Sequence, residues 1–98
     1  GQGVTREISQ LRRELDEVDR ELVALFERRM EISREVAAYK RGRGLPVLDA
    51  AREEQVLQSR QEMLRDGRLA AGCRALFQEI MRLSREEQDK ALAREAGE

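Results

Sequence analysis

The sequence predicts an all-α chain of three helices, one long and two shorter. Three observations carry that expectation. Apolar residues recur at alternating steps of three and four from Ile8 to Tyr39, the signature of a long amphipathic helix. Two further amphipathic stretches follow, each set off by capping and stop residues. No stretch alternates with the period of two that marks a strand. At 98 residues the whole chain, 1–98, is expected to be one helical domain, too small to build an extensive core alone.

The first helix is expected from about residue 5, with Thr5 as N-cap, to about residue 41, where Arg41-Gly42-Arg43-Gly44-Leu45-Pro46 ends the periodicity. At the standard rise it would be ~55 Å long. The rest of the chain cannot cover such a helix, so burial of its stripe calls for a second copy. That stripe reads Ile8, Leu11, Leu15, Val18, Leu22, Leu25, Arg29, Ile32, Val36 and Tyr39, and Arg29 is its one charged member. A guanidinium facing a packing seam must be paired, exposed or matched to an anionic ligand, because an unpaired buried charge is strongly destabilising. The plainer role is a polar residue that fixes register in a helical dimer.

Asp49 is placed to cap a second helix over about 50–66, with Gly67 behind it as a stop and Val56, Leu57, Met63 and Leu64 as its apolar positions. A third helix over about 70–92 carries Cys73, Leu76, Phe77, Ile80 and Met81, and the same face continues through Ser84 and Gln88 to Ala91. Polar residues again interrupt a stripe expected to be buried.

Composition narrows the chemistry. Charged residues make up 40% of the chain, yet the net charge is only -1, which argues against a nucleic-acid binder with its basic surplus. No uncharged run is long enough to cross a bilayer, so no membrane partner is expected. Cys73 is the only cysteine, so there is no internal disulfide framework and a cytoplasmic location is the default. Without histidine and with one cysteine, Ser-His, Cys-His and histidine-metal sites are excluded or improbable. Chemistry must run on Arg, Lys, Asp, Glu, Ser and Gln, and no cofactor or metal is expected.

Arg29 and Lys40 are three helical turns apart, so they point nearly the same way at a separation of ~16 Å and could bracket a small dianion. Arg12 borders the same seam but lies ~26 Å from Arg29 along one helix. If two copies of the helix pack antiparallel about a two-fold axis near Val23, Arg12 of one chain falls opposite position 34 of the other, between Arg29 and Lys40. One composite cationic pocket per protomer is the economical arrangement. Asp49, Arg52 and Glu53 share a face over the first turn of the second helix; a cap followed by a solvated ion pair is the ordinary fate of such a triplet. Ser84 and Gln88 form an i,i+4 pair whose ordinary fate is a local bond to backbone. Polar groups on all three helices, where core is expected, fit an internal binding site in a helical bundle.

The ordered set Leu11-Arg12, Asp19, Leu22, Arg29, Val36-Ala37, Lys40, Gly44, Pro46-Val47, Asp49, Arg52-Glu53, Ser84 and Gln88 resembles the all-helical class of chorismate mutase. The resemblance spans Leu11 to Gln88 and implies a three-helix fold intertwined as a homodimer with two identical sites. It implies a single pericyclic step from chorismate to prephenate, in aromatic amino-acid biosynthesis through the shikimate pathway, with no nucleophile or general base. Arg29 and the partner's Arg12 would hold the carboxylates, as forked donors suit planar anions. Lys40 and Gln88 would donate to the ether oxygen, which gains negative charge as the C–O bond breaks. Glu53 and the Asp49 region would receive the ring hydroxyl, Ser84 would assist a carboxylate, and Arg52 would complete the cationic wall. Fixed donors aimed at developing charge, and contacts that hold a reactive conformer, are all the catalysis such a step needs. Two alternatives stand beside it: an isochorismate pyruvate lyase with a similar cationic pocket, and a non-catalytic dimerisation or regulatory domain of a larger enzyme.

Overall fold

A computed structural model describes residues 6–97. They form α1 (Ile8–Gly42), α2 (Ala50–Glu62), a 3-10 turn at Gly67–Leu69 and α3 (Ala70–Gly97), with no strand among the described residues. Thr5, the expected cap of the first helix, lies outside the described residues. The chain divides into two compact units, one through Glu31 and one from Ile32 onward.

The N-terminal unit contains the first turns of α1, and its apolar face is uncovered within the chain. Ile8, Leu15, Val18, Leu22 and Leu25 are all between 51% and 60% exposed, where a helix of a self-contained domain would bury them. Among the described residues of this unit only Met30, near its end, is buried.

In the C-terminal unit, α1 stops at a Schellman motif. Leu45 N–H donates to Lys40 O at 2.8 Å and Gly44 N–H to Arg41 O at 3.1 Å. Gly44 supplies the left-handed conformation, with φ of 67°, that this motif requires at its C′ position. The helix therefore turns sharply just after Lys40.

Asp49 adopts extended backbone and its carboxylate accepts from Arg52 N–H at 3.0 Å, which starts α2; Glu53 in the first turn complements the helix dipole. The helix ends at Glu62 rather than near residue 66. The reason is Asp66, which takes extended backbone to cap the following 3-10 turn through Arg68 N–H. A residue cannot cap the next turn and continue the previous helix. Gly67 accordingly opens that turn instead of stopping α2, and Met63, expected in the core, is 71% exposed.

The core is a small cluster of Val56, Leu57 and Met81 with Phe77 packed against it, joining α2 to α3. Each such side chain contributes at most about 1.5–3 kcal/mol. Cys73 and Ile80 are half-buried, and Leu76 is exposed. α3 continues to Gly97, beyond the expected end near residue 92, and Glu95 on this extension pairs with Arg41.

Within the same unit the face of α1 that the chain buries by itself lies beside the apolar stripe. Ser33 and Ala37 are buried, whereas Ile32, Val36 and Tyr39 are 47%, 38% and 56% exposed. Ion pairs flank the buried face: Arg34 Nε lies 2.8 Å from Glu87 Oε1, and Arg41 pairs with Glu95. Ser33 meets Ser84 of α3, and the larger apolar residues are left outward.

Candidate active site

The outward residues of α1 and the start of α2 line a concavity of about 550 Å³ that includes Val36, Tyr39, Lys40, Leu45, Asp49 and Arg52. The turn at Gly44 makes it possible, because it folds the chain back so that the cap of α2 faces the last turn of α1. Lys40 Nζ donates to Val47 O at 2.8 Å. An ammonium carries three donors, so this bond fixes the cation at the wall and leaves two N–H groups for a ligand. Arg52 is exposed and its Nη1 donates to Gln55 Oε1 at 2.6 Å. Asp49 keeps its capping bond and lies on the same concavity.

Glu53 faces a different concavity, bordered by Arg74 and Arg85. Both its carboxylate oxygens accept from Arg85 Nη1, at 2.5 and 2.6 Å. The pair is partly exposed, with side chains 26% and 32% accessible, and a carboxylate retains further lone pairs to accept a hydroxyl.

Ser84 and Gln88 are both buried, as expected for polar residues on the inward face of α3. They do not bond locally to backbone. Gln88 Nε2 donates to Ser84 Oγ at 3.3 Å, and Ser84 Oγ lies 2.6 Å from Ser33 Oγ of α1. Gln88 Oε1 is the one buried side-chain acceptor without a partner among the described residues. Such an orphan costs about 1–3 kcal/mol, and an apolar side chain would avoid it, so its presence points to a ligand. Beside this cluster, the Glu87 carboxyl is held below the usual carboxylate range, chiefly by its hydrogen bond from Arg34 against an opposing effect of burial.

Arg12 and Arg29 belong to the N-terminal unit, Arg12 exposed and Arg29 half-buried on α1. Of the residues singled out from sequence, Lys40, Asp49 and Arg52 share one concavity, Ser84 and Gln88 share a buried cluster, and Glu53 stands with Arg85. Ser33 and Arg85 are the partners that sequence reasoning missed. For Ser33 a signal existed: with Ala37 it makes a small-residue step of four beside the apolar stripe.

Residues 11–89 match the family described as chorismate mutase type II. The chain belongs to that family. The match covers every site residue placed above. The chain is also 42% identical, over 53 residues, to the T-protein of Haemophilus influenzae. That alignment covers 54% of this chain but only 14% of the T-protein's length, so the chain corresponds to a small part of that relative. No described helix is long and apolar enough to cross a membrane.

Proposed function

We propose that this chorismate mutase converts chorismate to prephenate by electrostatic and conformational catalysis alone, in a homodimer whose two sites each take Arg12 from the partner chain. The observation that carries the proposal is the concavity that joins Lys40, Asp49 and Arg52 at the turn between α1 and α2. Its cations are anchored, as Lys40 is by Val47 O, and anchored donors stabilise developing charge without reorganising.

In the reaction one C–O bond breaks while one C–C bond forms, within a single molecule. Arg29 and the partner's Arg12 bind the two carboxylates and hold the compact conformer in which the reacting ends approach. Lys40 and Gln88 donate to the ether oxygen as it gains charge. Asp49 receives the ring hydroxyl, Ser84 assists a carboxylate and Arg52 closes the cationic wall; Glu53 joins Asp49 by turning from its ion pair with Arg85. No side chain changes its protonation state, which suits a site assembled from Arg, Lys and Gln.

Dimerisation is supported by the uncovered face of α1, where Ile8, Leu15, Val18, Leu22 and Leu25 stand at least 51% exposed. A contiguous apolar stripe of this length is what a partner helix covers. The free thiol of Cys73 fits a reducing cytoplasm, where the enzyme would serve aromatic amino-acid biosynthesis.

The test is to incubate the protein separately with chorismate and with isochorismate. Prephenate from chorismate supports the proposal. Release of free pyruvate from isochorismate, without prephenate from chorismate, would instead make it a lyase, and no turnover of either would leave a dimerisation domain.

A further inference from the structure

The concavity that joins Lys40 and Arg52 is balanced in formal charge by its own lining. Those two cations are matched there by Glu35 and Asp49, and the arginines assigned to the substrate's carboxylates, Arg29 and Arg12, belong to the other unit of the chain. A dianion approaching this wall meets no net attraction from the charges that line it. A further cation stands against Tyr39, one of the lining residues. The guanidinium carbon of Arg43 lies over the Tyr39 ring, 3.8 Å from its centre.

Backbone and ring together hold that cation in place. Arg43 N–H donates to Lys40 O at 3.1 Å, and the same carbonyl accepts from Leu45 N–H at 2.8 Å, so Arg43 belongs to the turn that closes α1. A cation within ~6 Å of a tyrosine ring centre is attracted by the electron-rich face, and a guanidinium, planar and weakly hydrated, stacks there well. Stacking of this kind consumes none of its N–H donors. Among the described residues the Arg43 side chain has no carboxylate or hydrogen-bond partner, whereas Arg34, Arg41, Arg74 and Arg85 of the same unit are each tied to a glutamate.

We propose that Arg43 is a substrate-capture residue: held on the Tyr39 ring at the wall of the concavity, its uncommitted charge draws in and retains a small dicarboxylate. The inference rests on the reading that this concavity receives dianionic chorismate. Arg43 touches none of the reacting atoms. It attracts the bound substrate and the transition state alike, so its effect falls on KM and not on kcat.

Steady-state kinetics of the full chain across an ionic-strength series test it. Arg43→Gln removes the charge and keeps the backbone bond to Lys40 O, and helical content checks the fold. One unit charge ~8 Å from a dianion in water is worth about four-fold in affinity at ~0.01 M salt and about 1.3-fold at ~0.5 M, because the screening length contracts from ~30 Å to ~4 Å. The KM of Arg43→Gln should rise by the first factor in dilute buffer and converge on wild type as salt is added, with kcat little changed. Tyr39→Leu, which removes the platform, should reproduce part of this salt-dependent rise, and Tyr39→Phe, which keeps the ring, should not. In the Arg43→Gln background Tyr39→Leu should add no salt-dependent rise. An unmoved KM in dilute buffer, a rise that persists at high salt or a loss confined to kcat would overturn the capture role, and equal salt-dependent effects of Tyr39→Leu in both backgrounds would overturn the part given to the ring. A wild-type protein that turns over no chorismate at any salt concentration would overturn the reading of the site itself.

Discussion

Leu22 lies in the middle of the uncovered face of α1 and is 54% exposed in the chain, so a partner helix has about half of its side chain left to bury. Complete burial of a leucine contributes about 2.5 kcal/mol, and the remaining half therefore about 1.3 kcal/mol. A two-fold interface counts the residue twice, giving about 2.7 kcal/mol per dimer, or roughly a hundred-fold in the dissociation constant. Leu22→Asp removes that contribution and adds the desolvation of two carboxylates, so a hundred-fold is the lower bound. The monomer should keep its helices, because the position is solvated in the single chain. Sedimentation velocity over a concentration series gives the dissociation constant, and turnover per chain at each concentration should fall in step with dimer content. A Leu22→Asp protein that self-associates like the wild type would refute the assignment of this face to the dimer.

Further predictions concern the site and its surroundings. Lys40→Ala should cost about a hundred-fold or more in kcat, as loss of a fixed oxyanion donor does, and Gln88→Glu should be more active at acid than at alkaline pH; full activity and a flat pH profile would remove Gln88 from its role. Cys73 is free and half-buried and acts as a small hydrophobe, so Cys73→Ala should leave turnover unchanged; abolished activity in a folded dimer would contradict a purely electrostatic mechanism. The hydrogen bond from Arg34 holds the Glu87 carboxyl below the usual carboxylate range, so its stabilisation is present above that range and is lost as pH falls through the lower folded value. Glu87→Gln should accordingly lower Tm by about 2 °C near neutral pH, and the difference from wild type should vanish in strong acid; a difference that persists there would show that the ion pair is not its source.

The long helix and its uncovered stripe were legible because periodicity runs from Ile8 to Tyr39 within α1 with a single charged interruption. Ser84 and Gln88 were legible as buried polar groups because they continue an apolar face at helical spacing, and both are buried in the structure. The end of α2 was not legible. Gly67 resembles a stop, but Asp66, one residue earlier, prefers to cap a new turn and ends the helix sooner. Local rules rank such competing caps poorly, since each is worth only about 1 kcal/mol. The face of α1 that the chain buries by itself was not legible either: the apolar stripe was expected to need a second copy, and it is Ser33 and Ala37 beside it that the chain itself covers. The small-residue step of Ser33 and Ala37 marks a face of α1 but not its partner 51 residues away, and nothing local pairs Glu53 with Arg85. Contacts of that separation depend on how helices dock, which composition and spacing do not determine.

The composite site is tested most directly by reassorting two inactive variants. Arg12→Ala and Arg29→Ala homodimers should each be nearly inactive, since every site lacks one carboxylate ligand. In a mixed dimer one site receives Arg29 from the first chain and Arg12 from the second, while the other site lacks both. Random co-refolding makes half the dimers mixed, with one good site in two, so the rate of chorismate loss should return to roughly a quarter of wild type. No recovery, with exchange of chains confirmed by mass-tagged subunits, would mean that the two arginines serve their site from one chain and would contradict the shared pocket.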